Sequence, residues 1–171
     1  EALVLFSSAT GGIAKGTPYS HRMLLSAVMQ LSSRMPLNQG QRTLAAMPLY
    51  QPVGLLTGLL LPLLHGLDVV TYPDTGTPRR LCELAHNYGT VLTAFSPAQT
   101  NTILQAGKPE HFSTLRYFLV AGERIPTELA QRATTDYKLT LHECYAPAES
   151  ALPVSISASN PAAAPGTPHI I

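Results

Sequence analysis

The chain has 171 residues, 45% of them hydrophobic, enough for one domain with a real core, since a domain of this size buries roughly 70% of its unfolded surface. Eleven basic residues against ten acidic ones leave a net charge of +1 with no Lys/Arg run, so the basic face that holds nucleic acid is missing and no nucleic-acid partner is expected. Cys82 and Cys144 stand far apart and outside any CxxC pair, which gives neither a disulfide framework nor a zinc knuckle and fits a reduced, cytoplasmic setting.

Residues 1–6 carry no basic leader before their apolar run. They read as a buried strand over 3–7 and not as a signal peptide, and a start in mid-strand suggests a piece of a longer protein. A loop of hydroxyls, glycines and one lysine follows over 7–16, then a helix over 21–34, a strand over 43–47, a helix over 53–65 and a strand over 68–72. The charge-free stretch 43–67 is interrupted by Pro48, Gln51, Pro52, Pro62 and His65. Its apolar part falls short of the ~20 residues of a membrane span, so a buried core helix is expected there and no transmembrane segment.

The alternation continues with helices over 78–87, 97–106 and 126–134 and strands over 90–94, 115–120, 139–143 and 154–157. Short apolar strands separated by helices imply an α/β fold, a mainly parallel sheet with helices on both faces. The tail carries prolines at 153, 161, 165 and 168. The expected division is therefore a core subdomain over 1–157 and a Pro/Ala-rich tail over 158–171, weakly ordered and leading to a missing remainder. Gly and Pro gather at strand ends, in Gly11-Gly12, Pro48, Pro73, Pro97 and Gly122, which are the loops where such sheets bind ligands.

Ser7-Ser8-Ala9-Thr10-Gly11-Gly12-Ile13-Ala14-Lys15-Gly16 has the residue types that wrap phosphate oxygens in backbone N–H and hydroxyl groups while a lysine supplies charge. It is not a GxxxxGK[ST] loop, because Lys15 precedes Gly16 and no Gly-Lys-Ser/Thr follows; the plainer alternative is a small-residue turn. His21, His65, His86, His111, His142 and His169 show no i, i+4 pairing, so no metal cluster is expected from them. No GxSxG elbow exists, and Ser96 in Phe-Ser-Pro is better read as a helix N-cap than as a nucleophile.

The order of residues over 7–16 resembles the phosphate loop of the adenylate-forming superfamily, Thr-Ser-Gly-Thr-Thr-Gly-x-Pro-Lys-Gly, with matches at Ser8, Thr10, Gly12, Lys15 and Gly16 and departures at Ala9, Gly11 and Ala14. Pro48-Leu49-Tyr50-Gln51-Pro52-Val53-Gly54 is similar to the family's Pro-Leu-Phe/Tyr-His-x-x-Gly, with Gln51 in place of His. Val120-Ala121-Gly122-Glu123 and Cys144-Tyr145-Ala146-Pro147-Ala148-Glu149 resemble the segments of the family that border the nucleotide, the second being similar to its Gly-Tyr-Gly-x-Thr-Glu. Pro165-Gly166-Thr167 resembles the start of its Pro-Gly-Thr-Val-Gly run, with Pro168-His169 replacing Val-Gly.

The resemblance implies one subdomain of the N-terminal domain of an acid–thiol ligase that converts a fatty or aryl carboxylic acid and ATP to an acyl-adenylate. The acyl group then passes to the thiol of CoA or of the phosphopantetheine of an acyl carrier protein; residues 54–59, 72–73 and 115–117 look most like the branch that loads fatty acids onto carrier protein. It implies ATP-binding roles for Ser8, Thr10, Gly12, Lys15, Gly16, Gly122, Glu123 and Tyr145, an acyl-pocket role for Tyr50, Gln51 and Gly54, and Mg²⁺ held by Glu149. Without the resemblance, Tyr50 and Val53 would be core residues and Glu149 a solvated strand-end carboxylate. The family's catalytic lysine sits in a mobile C-terminal domain that would lie beyond Ile171, so no catalytic residue is expected within the chain. Ala148 lacks the hydroxyl that the family offers the α-phosphate, and Ala9, Gln51 and Ala146 also depart, which leaves open a degenerate nucleotide-binding or scaffolding module without catalysis.

Overall fold

A computed structural model describes residues 1–7, 15–73, 77–146 and 155–158. Its strands are β1 (Leu3–Ser7), β2 (Lys15–Tyr19), β3 (Arg42–Ala45), β4 (Asp68–Thr71), β5 (Leu92–Phe95), β6 (Tyr117–Ala121), β7 (Leu141–Tyr145) and β8 (Ser155–Ala158). The α-helices are α1 (His21–Arg34), α2 (Pro52–Leu55), α3 (Leu61–His65), α4 (Pro78–Asn87), α5 (Pro97–Ala106) and α6 (Thr127–Tyr137). A π turn, Leu56–Leu60, joins α2 to α3 without a break, and a short 3₁₀ helix, Pro109–Phe112, precedes β6.

Six strands form one sheet in the order β4-β3-β5-β6-β7-β8. The first five are parallel, and β8 closes the far edge antiparallel to β7. The fold is therefore the expected α/β sheet, and the alternation of side chains along each strand explains its two cores. Leu44, Phe95, Phe118 and Val120 face one layer, where they meet Leu81 of α4 and Leu104 of α5. Leu92, Ala94, Leu119 and Ala121 face the other, where they meet Val28 of α1 and Leu56 of the π turn. Both faces of β5 and β6 are covered, as continuous apolar strands require.

Local signals set the helix starts. Ser20 caps α1 by accepting from the Met23 amide at 3.2 Å. At α5, Ser96 Oγ accepts from the Gln99 amide at 3.2 Å while Gln99 Oε1 accepts from the Ser96 amide at 3.0 Å, a reciprocal capping box with Pro97 in the first turn. Ser96 is thus the cap that the sequence indicates. Ser96→Ala removes one half of the box and should lower stability by about 1 kcal/mol, read as a shift in the urea midpoint without a change in slope.

Three features differ from the sequence reading. Strand β1 is not part of the main sheet; among the described residues it pairs only with β2, as a two-stranded antiparallel ribbon. Leu5 is buried but Phe6 is 69% exposed, because a ribbon packs on one face only. Lys15 and Gly16 lie in a strand and not in the loop, Lys15 pairing with Ser7 and Gly16 with Phe6. Gly16 and Pro18 hid this strand, since both are depleted in strands; Pro18 is accommodated because β2 has no second neighbour among the described residues. The helix over 53–65 is continuous, but it widens into the π turn and leaves Leu63 exposed. The expected tail over 158–171 begins within β8, and from residue 159 on it lies outside the described residues.

Candidate functional site

The chain direction in the sheet changes once. From β3 the chain moves outward to β4, then returns to β5 and proceeds through β6 and β7. The switch point lies between β3 and β5, and in open parallel sheets ligands bind outside the carboxyl ends of the strands at that crevice. Along this edge stand, in spatial order, the turn 48–51 after β3, Ser96 after β5, Gly122 and Glu123 after β6, and Tyr145 at the end of β7. Strands lie about 4.8 Å apart, so the row from β3 to β7 is roughly 14 Å long.

Gly122, Glu123 and Tyr145 are brought together by register. Ala121 pairs with Cys144, so the next residue of each strand, Gly122 and Tyr145, are neighbours where the strands end. Gly122 has φ +102°, and a Cβ built on it meets nothing within 4 Å. Only glycine adopts that backbone without strain. The result is bare main chain at Gly122 on the strand end next to that of Tyr145, which is 59% exposed. A flat surface next to an exposed aromatic ring fits a planar base.

One residue that holds this patch was not singled out from the sequence. Glu143 on β7 accepts the Ile125 amide through Oε2 at 3.0 Å, tying the segment after Gly122 back to the sheet. Its only signal was a carboxylate inside a short strand, which says nothing without the β6–β7 register. Glu143→Ala leaves the Ile125 amide without this acceptor and should cost about 1–2 kcal/mol. Hydrogen exchange should show faster exchange at Ile125 with unchanged protection in β5; unchanged exchange at Ile125 would exclude this role.

The residues expected to line an acyl pocket form a second group. Pro48 O accepts the Gln51 amide at 3.0 Å, closing a tight turn that presents Tyr50, 72% exposed, and Gln51 at the sheet edge. Tyr50 is therefore not a core residue, whereas Val53 is, at the buried start of α2. Gly54 sits directly under the turn: a Cβ on it would lie 2.2 Å from Pro48 O and 2.9 Å from Met47 O.

Lys15 and Gly16 belong to neither group. They stand at the hairpin end of the β1–β2 ribbon, where Ser7 pairs with Lys15, and the ribbon packs on α1 through Leu5, Tyr19 and Leu24. Ser8, Thr10, Gly12, Ala148 and Glu149 lie outside the described residues. Among those described, no group of three or more His, Cys, Asp or Glu can hold a metal ion, and no helix is long and apolar enough to cross a membrane. Burial pushes the Cys82 thiol up to about 11 and the Cys144 thiol up to about 12. Both stay protonated at neutral pH and are poor nucleophiles, so neither suits the role of acyl acceptor.

The family model of AMP-binding enzymes matches residues 1–170. The chain belongs to this family. Among curated relatives of this AMP-binding chain, the medium-chain fatty-acid–CoA ligase of Escherichia coli is 30% identical over 136 residues, 76% of this chain and 23% of the relative. The 3-hydroxybenzoate–CoA ligase of an Aromatoleum species is 26% identical over 132 residues, 76% of this chain and 25% of the relative. The chain thus spans about a quarter of the length of these curated relatives. In structure it is similar to O-succinylbenzoate coenzyme A synthetase from Bacillus subtilis in complex with AMP, with a TM-score of 0.81 at 16% identity, over 91% of this chain and 31% of that one. This chain of the AMP-binding family therefore has the fold of adenylate-forming enzymes, and its relatives include acyl- and aryl-CoA ligases.

Proposed function

We propose that residues 1–171 form the nucleotide-binding core, over 1–157 with a tail from 158, of a longer cytoplasmic enzyme that activates a fatty or aryl carboxylic acid with ATP. The observation that carries this reading is the single edge on which the turn at Tyr50–Gln51 after β3 and the bare backbone at Gly122 after β6 stand two strands apart, on either side of Ser96 after β5, with Tyr145 next in the row. An acid at the β3 turn and a nucleotide at the β6 end would share this edge, two strand spacings or about 10 Å apart. A carboxylate oxygen attacks the α-phosphorus, the bond between the α- and β-phosphates breaks, and pyrophosphate leaves. A thiol of CoA or of carrier-protein phosphopantetheine then loses its proton, its sulfur attacks the acyl carbon, and AMP leaves.

Each residue has a defined task in this reading. Tyr145, Gly122 and Glu123 border the adenine. Ser8, Thr10 and Gly12, with Lys15 and Gly16 at the foot of the ribbon, hold the β- and γ-phosphates by charge-assisted bonds. Glu149 is the residue to hold Mg²⁺, since a carboxylate and phosphate oxygens suit a hard cation, and the ion would neutralise phosphate charge. Tyr50, Gln51 and Gly54 shape the acid side. Preorganised charge around the reacting α-phosphate carries most of such catalysis, and this reading takes the catalytic lysine to lie outside residues 1–171.

The reading is tested by measuring pyrophosphate release with residues 1–171 alone and with the full-length protein, over a panel of fatty and aryl acids. Release from the full-length protein alone is expected. Robust acid-dependent release from residues 1–171 would mean that the catalytic cation lies within them, and would overturn the division of labour.

A further inference from the structure

The helix beneath the acid-side turn contains a defect that its own sequence does not repair. Pro62 has no amide proton, and in a regular α-helix its ring collides with the carbonyl four residues earlier, here Gly58. The helix widens ahead of it: the Leu61 amide bonds Leu56 O, five residues back. In that register the Thr57 carbonyl would pair with the amide of residue 62, which a proline lacks. The donor of an ordinary helix, the Leu61 amide, is committed to Leu56 O. Thr57 is 3% exposed, so bulk water does not serve it, and an unpaired buried carbonyl is costly.

The missing donor comes from the sheet. Thr43 on β3, 0% exposed, places its hydroxyl 3.2 Å from Thr57 O and 3.3 Å from Leu92 O, so its one proton is shared between them. Other contacts carry this clamp to the turn. Thr57 Oγ1 donates to Val53 O at 2.8 Å, next to Gly54, whose Cα surface lies against Pro48 O. A Cβ on Gly58 would lie 3.1 Å from Ala45 Cβ and 3.1 Å from Leu49 Cδ2, so the helix has little room to slide over β3.

We propose that Thr43 is a positioning residue for the acid side of the site: its hydroxyl supplies the donor that Pro62 removes, seats the π turn on β3, and so fixes the Tyr50–Gln51 turn through Gly54. The role in acid binding rests on the adenylation reading; the latch itself does not.

The test uses the full-length protein with Thr43→Val, Thr43→Ser, Pro62→Ala and the Thr43→Val/Pro62→Ala pair, read by amide hydrogen exchange and by ATP–pyrophosphate exchange. Thr43→Val is expected to speed hydrogen exchange over 48–60 by about tenfold and to raise KM for the acid by about tenfold, the effect of one lost buried bond. Exchange in β6 and β7 and KM for ATP should stay within about twofold, as the adenine side keeps its contacts. Thr43→Ser restores both readings. Pro62→Ala returns an amide to residue 62, so adding Thr43→Val to it costs less than Thr43→Val alone; this comparison also serves if the single valine variant does not fold.

Unchanged protection over 48–60, equal rises in the two KM values, or no rescue by serine would each overturn the proposal. If the wild-type protein shows no acid-dependent ATP–pyrophosphate exchange, the adenylation reading fails separately. Hydrogen exchange then decides the latch: local loss with serine rescue supports it, and unchanged protection rejects it.

Discussion

Gly54→Ala is expected to lower the melting temperature of the full-length protein by roughly 6–12 °C. A methyl group at this position would lie 2.2 Å from Pro48 O and 2.9 Å from Pro48 C, far inside contact distance, and the obstacle is backbone, which cannot rotate away as a side chain does. Overpacking of this kind costs about 3 kcal/mol, and for domains of 150–250 residues each kcal/mol is worth about 2–4 °C. The same displacement strains the bond from the Gln51 amide to Pro48 O, so the turn bearing Tyr50 should move as well. A melting temperature within about 2 °C of the wild type would mean that helix and turn are not in this contact.

Lys15→Ala should weaken ATP binding to the full-length protein by about tenfold to a hundredfold, because charge-assisted bonds to phosphate contribute about 1.5–3 kcal/mol. Lys15 is exposed in this chain, where water and salt screen the interaction. In residues 1–171 alone the same substitution should therefore change ATP affinity by less than about fivefold. Titration calorimetry on both forms separates the two effects. Unchanged affinity in the full-length protein would remove Lys15 from the phosphate site.

Helix ends were the most legible part of the sequence. The spans expected over 21–34, 78–87 and 97–106 coincide with α1, α4 and α5, because Ser20, Pro78 and Ser96 mark their starts with side-chain or proline chemistry that acts locally. Strand partners are not local. The run Leu3-Val4-Leu5-Phe6 looks like a buried strand, yet only pairing decides whether both faces are covered, and among the described residues β1 pairs with β2 alone. The π turn was invisible because its residues keep an apolar helical character, and Pro62 marks its position only once the sheet donor at Thr43 is known.

The site divides in the same way. Gly122 and Tyr145 stood out through motif resemblance, and the register explains why they meet. Glu143 and Thr43 act through partners 18 and 14 residues away, separations that carry no periodic signal. Ser8, Thr10, Gly12 and Glu149 keep the roles that the resemblance implies as proposals.

The central claim is that this edge serves acid activation by ATP, and acid-dependent ATP–pyrophosphate exchange by the full-length protein tests it most directly. Exchange is expected with magnesium and at least one acid of a fatty and aryl panel, and it should vanish when the acid is withheld. Tight ATP binding without exchange for any acid would contradict the account and leave a nucleotide-binding module in its place.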